Sequence, residues 1–211
     1  MFKPIHWQTF IRDFIVIQIG FALFGLSIAL LIQANLGTSP WAILTVALAQ
    51  ISGLTPGILT VLIGLVVLTG AVILRERIGW GTISNILFIG PWLDLALWLI
   101  PSVTGKLSLQ IIMFLSAVVL MGMATAIYIS VDAGAGPRDS LMLALKRTRG
   151  WSVRRARVVI EVTVVFVGWL LGGPAGIGTV GFAMLIGPAV QWGFRLFKVQ
   201  LHKSVESEAA V

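Results

Sequence analysis

The sequence predicts an all-α protein that crosses a lipid bilayer several times. Of its 211 residues, 58% are hydrophobic and only 11% are charged, and no ionisable side chain occurs between Asp13 and Arg75. Soluble domains carry about 25% charged residues, so this chain needs an apolar solvent. Several apolar runs also exceed the roughly 18–20 residues that a helix needs to cross the hydrocarbon core.

Composition also narrows the chemistry. The chain has no cysteine, which excludes disulfides, thiol catalysis and thiolate metal sites. Its two histidines, His6 and His202, fall in the terminal tails, away from any buried metal or acid–base site. The net charge of +7 comes from short basic blocks beside apolar spans, which suits orientation by positive cytoplasmic loops and not a nucleic-acid interface. We therefore expect no enzyme, no cofactor and no nucleic-acid partner.

The order of apolar and polar segments predicts six spans and two short helices. A polar, basic leader covers residues 1–13, and a polar tail covers 198–211. The short helices are predicted at 40–51 and 136–149; the first is about 18 Å long at 1.5 Å per residue, too short for a core of about 30 Å. The predicted spans are 14–32, 58–74, 79–100, 109–131, 158–171 and 177–194.

The two halves of the chain are predicted to be copies of one unit. A shift of 97 residues aligns them without a gap, with repeat 1 at 14–100, a loop at 101–108 and repeat 2 at 109–197. About twenty aligned positions are identical. Shared glycines and prolines are the most informative, because they mark shared backbone geometry. They include Gly37 with Gly134, Pro40 with Pro137, and Gly90-Pro91 with Gly187-Pro188.

The placement of positive charge predicts that the repeats are inverted. If each short helix enters the membrane and returns to the same side, each half crosses three times. With both termini cytoplasmic, Arg75-Glu76-Arg77 and the basic stretch at 146–157 then face the cytoplasm, as the positive-inside tendency favours. An odd number of crossings per half gives inverted copies, as in many transporters. Short helices that cross the membrane, or that tilt and span it in part, would reverse this conclusion.

The candidate substrate-binding site is the pair of turns before the short helices. A helix N-terminus carries about half a positive charge and several unpaired N–H donors, so two such ends could hold an anionic group. Ser39 suits an N-cap, and proline suits the first helical position. The alternative is that these are tight turns leading to helices on the membrane surface. The candidate residues are Gly37, Thr38, Ser39 and Pro40 in one turn, and Gly134, Gly136, Pro137, Arg138 and Asp139 in the other.

Arg138 and Asp139 differ from the first copy, which has Trp41 and Ala42 at these positions. Asp139 suits the positive end of a helix dipole, and Arg138 could bind a phosphate or a carboxylate. The alternative is a local ion pair of Arg138 with Asp132 or Asp139, which would hold the turn near the cytoplasmic surface.

Two acidic residues fall within predicted spans and are candidates for proton coupling. An intramembrane carboxylate is costly unless it is paired or hydrated, so it marks a functional candidate. Asp94 has no partner nearby in the sequence, although it could lie near the outer interface, where the cost falls. Glu161 lies four residues after Arg157, so a structural i, i+4 ion pair is its alternative role.

These motifs resemble the YczE/YyaS/YitT family of bacterial integral membrane proteins, and most of all the YczE branch. The resemblance covers nearly the whole chain. It implies a location in the bacterial inner membrane and supplies no substrate or catalytic residue. The matching segments are Leu36-Gly37-Thr38-Ser39-Pro40-Trp41, residues 53–57, 134–142 and 148–154, and Gly176, Gly178 and Thr179 before Gly187-Pro188.

Two functions remain open from the sequence. The first is a transporter or permease for a small solute, with anions among the candidates, in which a hydrated cavity would touch both turns. The second is a non-transporting scaffold or regulatory partner that acts through its basic cytoplasmic face. The basic stretch at 146–157 is also expected to bind anionic lipid head groups.

Overall fold

The structure, a computed structural model, forms eight helices in the residues it describes, which are 7–76, 78–134 and 136–197. Residues 1–6 of the predicted leader, Arg77, Ala135 and the predicted tail at 198–211 lie outside this part. The helices are α1 (Phe10–Ala34), α2 (Pro40–Ser52), α3 (Pro56–Ile73), α4 (Trp80–Leu99), α5 (Leu107–Ile129), α6 (Pro137–Arg149), α7 (Val153–Leu170) and α8 (Ile177–Leu196).

Five of these helices, α1, α3, α4, α5 and α8, are long and apolar enough to cross a membrane. The chain is therefore a polytopic helical membrane protein, as predicted. The sixth predicted span belongs to α7, which has 18 residues but carries Arg154, Arg155, Arg157 and Glu161 in them. It begins earlier than the predicted span, because the Ser152 hydroxyl accepts a hydrogen bond from the Arg155 backbone N–H. That α7 crosses the membrane remains a prediction.

The helix boundaries repeat at an interval of 97 residues. Helices α2, α3 and α4 begin and end 97 residues before α6, α7 and α8. Left-handed backbone recurs at the same interval, with φ of 51° at Asn35 and 50° at Asp132, and of 59° at Arg75 and 87° at Gly172. The two halves thus share one backbone plan. Arg75 keeps its left-handed turn although a non-glycine residue rarely adopts one.

The core forms where α1 packs against α5. The buried Ser27 hydroxyl donates to the carbonyl of Ala117 at 2.7 Å, and the buried Gln110 amide donates to the carbonyl of Ala34 at 2.8 Å. The sequence order of these contacts shows that the two helices run antiparallel. Each polar side chain finds a carbonyl on the opposite helix, which offsets the cost of burying it.

Helix α4 runs parallel to α1 and touches it closely. Phe14 lies beside Phe88, and Gly25 lies against the backbone of Leu93. A Cβ at Gly25 would lie 2.7 Å from the Leu93 nitrogen, so the contact requires glycine. The contact recurs in the second half, where a Cβ at Gly122 would lie 2.4 Å from a carbonyl oxygen of α8.

Each half also supports the last helix of the other half. At the start of α4, the Gly81 N–H donates to the carbonyl of Ala133 at 3.0 Å. At the start of α8, the Gly178 N–H donates to the carbonyl of Leu36 at 2.7 Å. The turns before the short helices therefore satisfy backbone donors at helix N-termini, which otherwise lack partners.

Helices α2 and α6 point their N-terminal ends into the molecule. Pro40 and Pro137, which begin them, are buried, whereas Ile51 and Arg149 near their C-terminal ends are exposed. Both helices pack against α3 and α7. Burial therefore changes along the helix axis, unlike the one-sided burial of a helix lying on a membrane surface.

Candidate functional site

The two short helices meet at a small cavity in the interior of the molecule. Its volume is about 10 Å³, which is room for one water molecule. Half of its lining is polar, with the hydroxyls of Ser39, Thr45 and Thr60 and the guanidinium-bearing Arg138. The apolar half consists of Ile28, Ile32, Ala42 and Leu93.

Ser39 is the N-cap residue of α2 but does not use its hydroxyl as a cap. An N-cap serine usually accepts a hydrogen bond from the first turn, and Ser39 does not. The residue is only 6% exposed, and its hydroxyl has no hydrogen bond within the described segments. A hydroxyl that lacks a partner in the protein can bond to another group that reaches it. Its place on the cavity wall lets a bound water or solute atom supply that partner.

Arg138 lies in the first turn of α6, directly opposite the first turn of α2. Its guanidinium carbon is 4.6 Å from the centroid of the Trp41 ring, a cation–π contact with a buried aromatic side chain. The interval of 97 residues makes Trp41 and Arg138 equivalent positions. Equivalent residues of the two halves thus stack on each other beside the cavity.

The predicted local ion pair of Arg138 does not form. Across 7–76, 78–134 and 136–197, Arg138 makes neither a hydrogen bond nor an ion pair within 4.0 Å with Asp132, Asp139 or any other residue. Stacking on Trp41 holds the side chain on the cavity wall instead. A guanidinium in this position keeps its donors available for an anion.

Asp139 belongs to a second polar group around Gly136. A Cβ at Gly136 would lie 3.5 Å from Asp139 Oδ2 and 3.9 Å from both the Tyr128 hydroxyl and the Asn85 amide nitrogen. Asp139 also interacts electrostatically with Arg157. Since Gly136 is equivalent to the N-cap of α2, the two polar groups occupy related places. One carries hydroxyls and a guanidinium, and the other a carboxylate, a phenol and an amide.

The other candidate residues of the two turns pack against protein. Gly37 and Gly134 have φ of 108° and 127°, a region that favours glycine. A Cβ at Gly37 would lie 2.8 Å from the Gly176 nitrogen, and one at Gly134 would lie 2.8 Å from the Gly79 Cα. Thr38 is fully buried, and its hydroxyl has no hydrogen-bond partner among the described residues. None of these three candidates lines the cavity.

Asp94 has partners that lie far from it in the sequence. Its Oδ1 accepts the backbone N–H of Gly57 at 2.7 Å, and its Oδ2 accepts the Thr55 hydroxyl at 2.5 Å. Both donors lie at the N-terminal end of α3, where a carboxylate is favourable. Asp94 therefore joins α4 to α3, and proton coupling through it remains a prediction.

Glu161 forms the ion pair that the sequence offered as its alternative role. Arg157 Nε donates to Glu161 Oε1 at 3.0 Å, with the two side chains 57% and 32% exposed. Proton coupling through Glu161 also remains a prediction. In the described part of the chain, no three His, Asp or Glu side chains are grouped as a metal site requires.

Sequence reasoning missed several residues of both polar groups. Thr45 and Thr60 sit in apolar segments, and each hydroxyl donates to a carbonyl one turn earlier in its own helix. One signal was present: at the interval of 97 residues, Thr60 is equivalent to Arg157 and Trp41 to Arg138. A position that is charged in one copy is therefore worth examining in the other.

Comparison with known proteins places the chain among bacterial relatives. The profile of a family described as a family of unknown function (DUF6198) matches residues 11–195. The uncharacterized membrane protein YczE of Bacillus subtilis strain 168 is 34% identical over 186 residues, which cover 87% of this chain and 82% of YczE. An uncharacterized protein of Haemophilus influenzae is 31% identical over 186 residues, covering 88% and 85% of the two chains.

The protein YyaS of Bacillus subtilis strain 168, also described as uncharacterized, is 32% identical over 166 residues, covering 77% of this chain and 82% of YyaS. No solved structure matches the chain. The resemblance to YczE and YyaS that the sequence motifs indicated is thereby confirmed. With a match along nearly its whole length, the chain belongs to the DUF6198 family.

Proposed function

We propose that the protein is an inner-membrane transporter or permease for a small solute with an anionic group. The cavity between the short helices, which has room for one water molecule in this structure, widens during transport to bind that group. One observation carries the proposal. Ser39 and Arg138 come from the first turns of two different short helices, and both line a buried cavity without a hydrogen-bond partner in the described residues.

The charge around the cavity favours an anion. Two helix N-terminal ends point inward, and each contributes about half a positive charge. Arg138 adds a full charge, and no carboxylate of the described residues belongs to the lining, although the nearby Asp139 interacts with Arg138 electrostatically. The Ser39 hydroxyl adds a neutral donor, whereas the Thr45 and Thr60 hydroxyls donate their protons to carbonyls of their own helices. The aliphatic part of the lining limits the solute to a small one.

An inverted arrangement of the two halves is part of the proposal. Its support is the antiparallel packing of α1 and α5, which begin the two repeats. Helices α1 and α4 run parallel, which suits one crossing between them, by α3, with α2 entering and leaving on one side. The charge distribution then favours a cytoplasmic position for both termini. Alternating access between two inverted halves is a common transport mechanism.

Thiol labelling tests whether solutes reach the cavity. The chain has no cysteine, so Ser39→Cys introduces a single thiol on the cavity wall. In membrane vesicles, we expect an anionic methanethiosulfonate reagent to label it about tenfold faster than a cationic one, after correction for their rates with a free thiol. Adding Arg138→Ala is expected to abolish that preference.

Ser27→Cys is the matched control. Ser27 is fully buried and bonded to Ala117 across the α1–α5 contact, away from the cavity. If Ser39→Cys labels no faster than Ser27→Cys, the cavity is closed to solutes and the transport proposal fails. If the thiol of Ser39→Cys is modified, anion flux is then measured directly in proteoliposomes. The isotopically labelled anions loaded first are inorganic phosphate and acetate.

The scaffold remains a second candidate, because a basic surface is exposed at the α6–α7 turn. Arg149, Arg154 and Arg155 are exposed, and the Arg147 side chain, 51% exposed, reaches Glu76 at 3.5 Å. This stretch at 146–157 suits anionic lipid head groups or an acidic partner. If the thiol of Ser39→Cys is not modified and the protein binds anionic vesicles in a salt-sensitive manner, this second function is favoured.

A further inference from the structure

In the first half of the chain, the last two helices, α3 and α4, contact each other through glycine residues. We call this contact the α3–α4 seam and define it by Gly57, Gly64, Gly90 and Asp94. A Cβ at Gly57 would lie 2.3 Å from the Gly90 carbonyl oxygen, and a Cβ at Gly90 would lie 2.4 Å from the Gly57 carbonyl oxygen. A Cβ at Gly64 would lie 3.2 Å from the Ile86 side chain. The backbones of α3 and α4 are therefore in direct contact.

Asp94 fastens the end of this seam. It accepts hydrogen bonds from the Gly57 N–H and the Thr55 hydroxyl at the start of α3. The carboxylate thus bridges the last turns of α4 and the first turn of α3. Its bond to Gly57 depends on the same close approach that the glycines permit.

The equivalent seam in the second half is open. We call it the α7–α8 seam and define it by Arg154, Glu161, Gly187 and Gln191, which are equivalent to Gly57, Gly64, Gly90 and Asp94. A Cβ at Gly187 would meet nothing within 4 Å. Helix α7 packs against α2 and α6, and α8 packs against α5.

Sequence explains the difference between the seams. Arginine and glutamate stand in α7 where α3 has its two contact glycines, so even their Cβ atoms would prevent the backbone approach seen in the first half. Gln191 could replace Asp94 as an acceptor, yet Arg154 keeps α7 too far away for the same bond. The α7–α8 seam therefore cannot close in the manner of the α3–α4 seam.

The open seam leads toward the candidate site along a charged face. Arg154, Arg157 and Glu161 lie at i, i+3 and i+7, which is one side of a helix. Arg157 is equivalent to Thr60, which lines the cavity, and both Arg157 and Glu161 interact electrostatically with Asp139. The charged face of α7 thus connects an exposed arginine to the residue beside Arg138.

We propose that the α7–α8 seam is a water-filled entrance through which a small anion reaches Arg138, and that the α3–α4 seam, fastened by Asp94, is its closed counterpart. The charges indicate that water fills the α7–α8 seam, because three ionised side chains facing lipid tails would be costly, whereas water solvates them. With Arg138 at its inner end, the path carries three arginines against the two carboxylates Glu161 and Asp139, so its net positive charge attracts anions. The identity of the solute rests on the proposed function, whereas the existence of the entrance does not.

Labelling of Gly187→Cys tests the entrance in the full-length chain. The new side chain enters open space, so the fold accepts it. In membrane vesicles, we expect a membrane-impermeant charged methanethiosulfonate reagent to label it at least about tenfold faster than Leu87→Cys. Leu87 is 49% exposed in the middle of α4 and serves as the lipid-facing control. Equal rates would mean that lipid or a second copy of the chain fills the seam, which overturns the proposal.

A double variant designed to close the α7–α8 seam provides a second, independent test. Arg154→Gly with Glu161→Gly restores the glycine pair of α3, and we expect it to slow the labelling of Gly187→Cys about tenfold as α7 approaches α8. Arg155→Gly with Val162→Gly is the control, with the same spacing on α7, both positions exposed and a slightly smaller cost in helix propensity. Unchanged labelling in the first double variant, or equal slowing in both, overturns the assignment.

The two proposals fail separately. Labelling at Gly187→Cys without labelling at Ser39→Cys leaves an entrance that leads to no solute site, which removes the proposed function alone. Labelling at Ser39→Cys with a Gly187→Cys thiol that behaves like Leu87→Cys removes the entrance alone.

Discussion

The two halves of the molecule share a backbone plan but differ in what their helices carry. In the first half, α3 has glycine at its contacts with α4 and no ionisable side chain, and the two helices touch along their backbones. In the second half, α7 has an arginine and a glutamate at those positions, and it stands away from α8. Close packing and charge exclude each other at one position, and here each half of the molecule has one of the two.

The short helices show the same division. Helix α2 contains no ionisable residue and provides Trp41 as a surface, whereas α6 provides Arg138 and Asp139 in its first turn. Neither helix alone makes the cavity, because its wall needs Ser39 from one half and Arg138 from the other. The candidate site is thus a product of the difference between the copies.

The largest effect is expected from adding one methyl group at the two equivalent glycines. Gly90→Ala forces a Cβ against the Gly57 carbonyl and should lower the free energy of unfolding by about 2–3 kcal/mol. Gly187→Ala meets open space and should raise it by about 0.5–1 kcal/mol through helix propensity. Thermal unfolding of the purified variants measures both. Equal effects would contradict the difference between the seams.

A smaller effect is expected at the residue that fastens the closed seam. Asp94→Ala removes the acceptor of the Gly57 and Thr55 hydrogen bonds and should cost about 1–2 kcal/mol. Gln191→Ala, at the equivalent position, should cost less than about 0.5 kcal/mol, because exposed positions contribute little. Denaturation in a mixed detergent–denaturant series compares the two. A costly Gln191→Ala would show that the second seam is also held together there.

The contact between the halves offers a third comparison. Ser27→Ala removes the hydrogen bond to the Ala117 carbonyl and makes the residue identical to its equivalent, Ala124. Hydrogen bonds between membrane helices average about 0.6 kcal/mol, so we expect a loss of that size. Ser52→Ala is the control and should change stability less, because the exposed Ser52 hydroxyl makes only local bonds: it donates to the Leu48 carbonyl and accepts from the Leu54 N–H. The prediction fails if the two variants unfold at the same temperature.

The smallest effect is expected at the Arg157–Glu161 pair. Glu161→Gln weakens an ion pair in which both side chains are partly exposed, so stability should fall by no more than about 0.5 kcal/mol. If Glu161 couples proton movement to transport, the same variant should change the pH dependence of anion flux in proteoliposomes without unfolding the protein. A large loss of stability would contradict the exposed position of the pair.

Much of the fold could be predicted from the sequence, because glycines, prolines and the lengths of apolar runs determine local structure. The interval of 97 residues and the two short helices are readable without coordinates. The six predicted spans are less secure, since α7 has the length of a span but four ionisable side chains. Local composition does not decide whether neighbouring helices shelter such charges.

The contacts of the candidate site could be predicted only in part. Arg138 was identifiable as a charged residue in the first turn of a short helix, but its stacking on Trp41 depends on how two distant helices meet. The partners of Asp94 lie 37 and 39 residues earlier in the chain and become visible only when α3 packs on α4. Packing of this kind depends on surfaces and not on sequence spacing.

The reciprocal bonds at Ala133 and Leu36 constrain how this protein is made. The N–H of Gly81 emerges from the ribosome about fifty residues before its acceptor, so the fourth helix must wait in the translocon or bilayer with an unpaired donor. In the N-terminal half expressed alone, the Gly81 N–H would never meet this acceptor. The fourth helix can therefore take its final place only after Ala133 has been made, and the eighth helix follows when its Gly178 reaches Leu36.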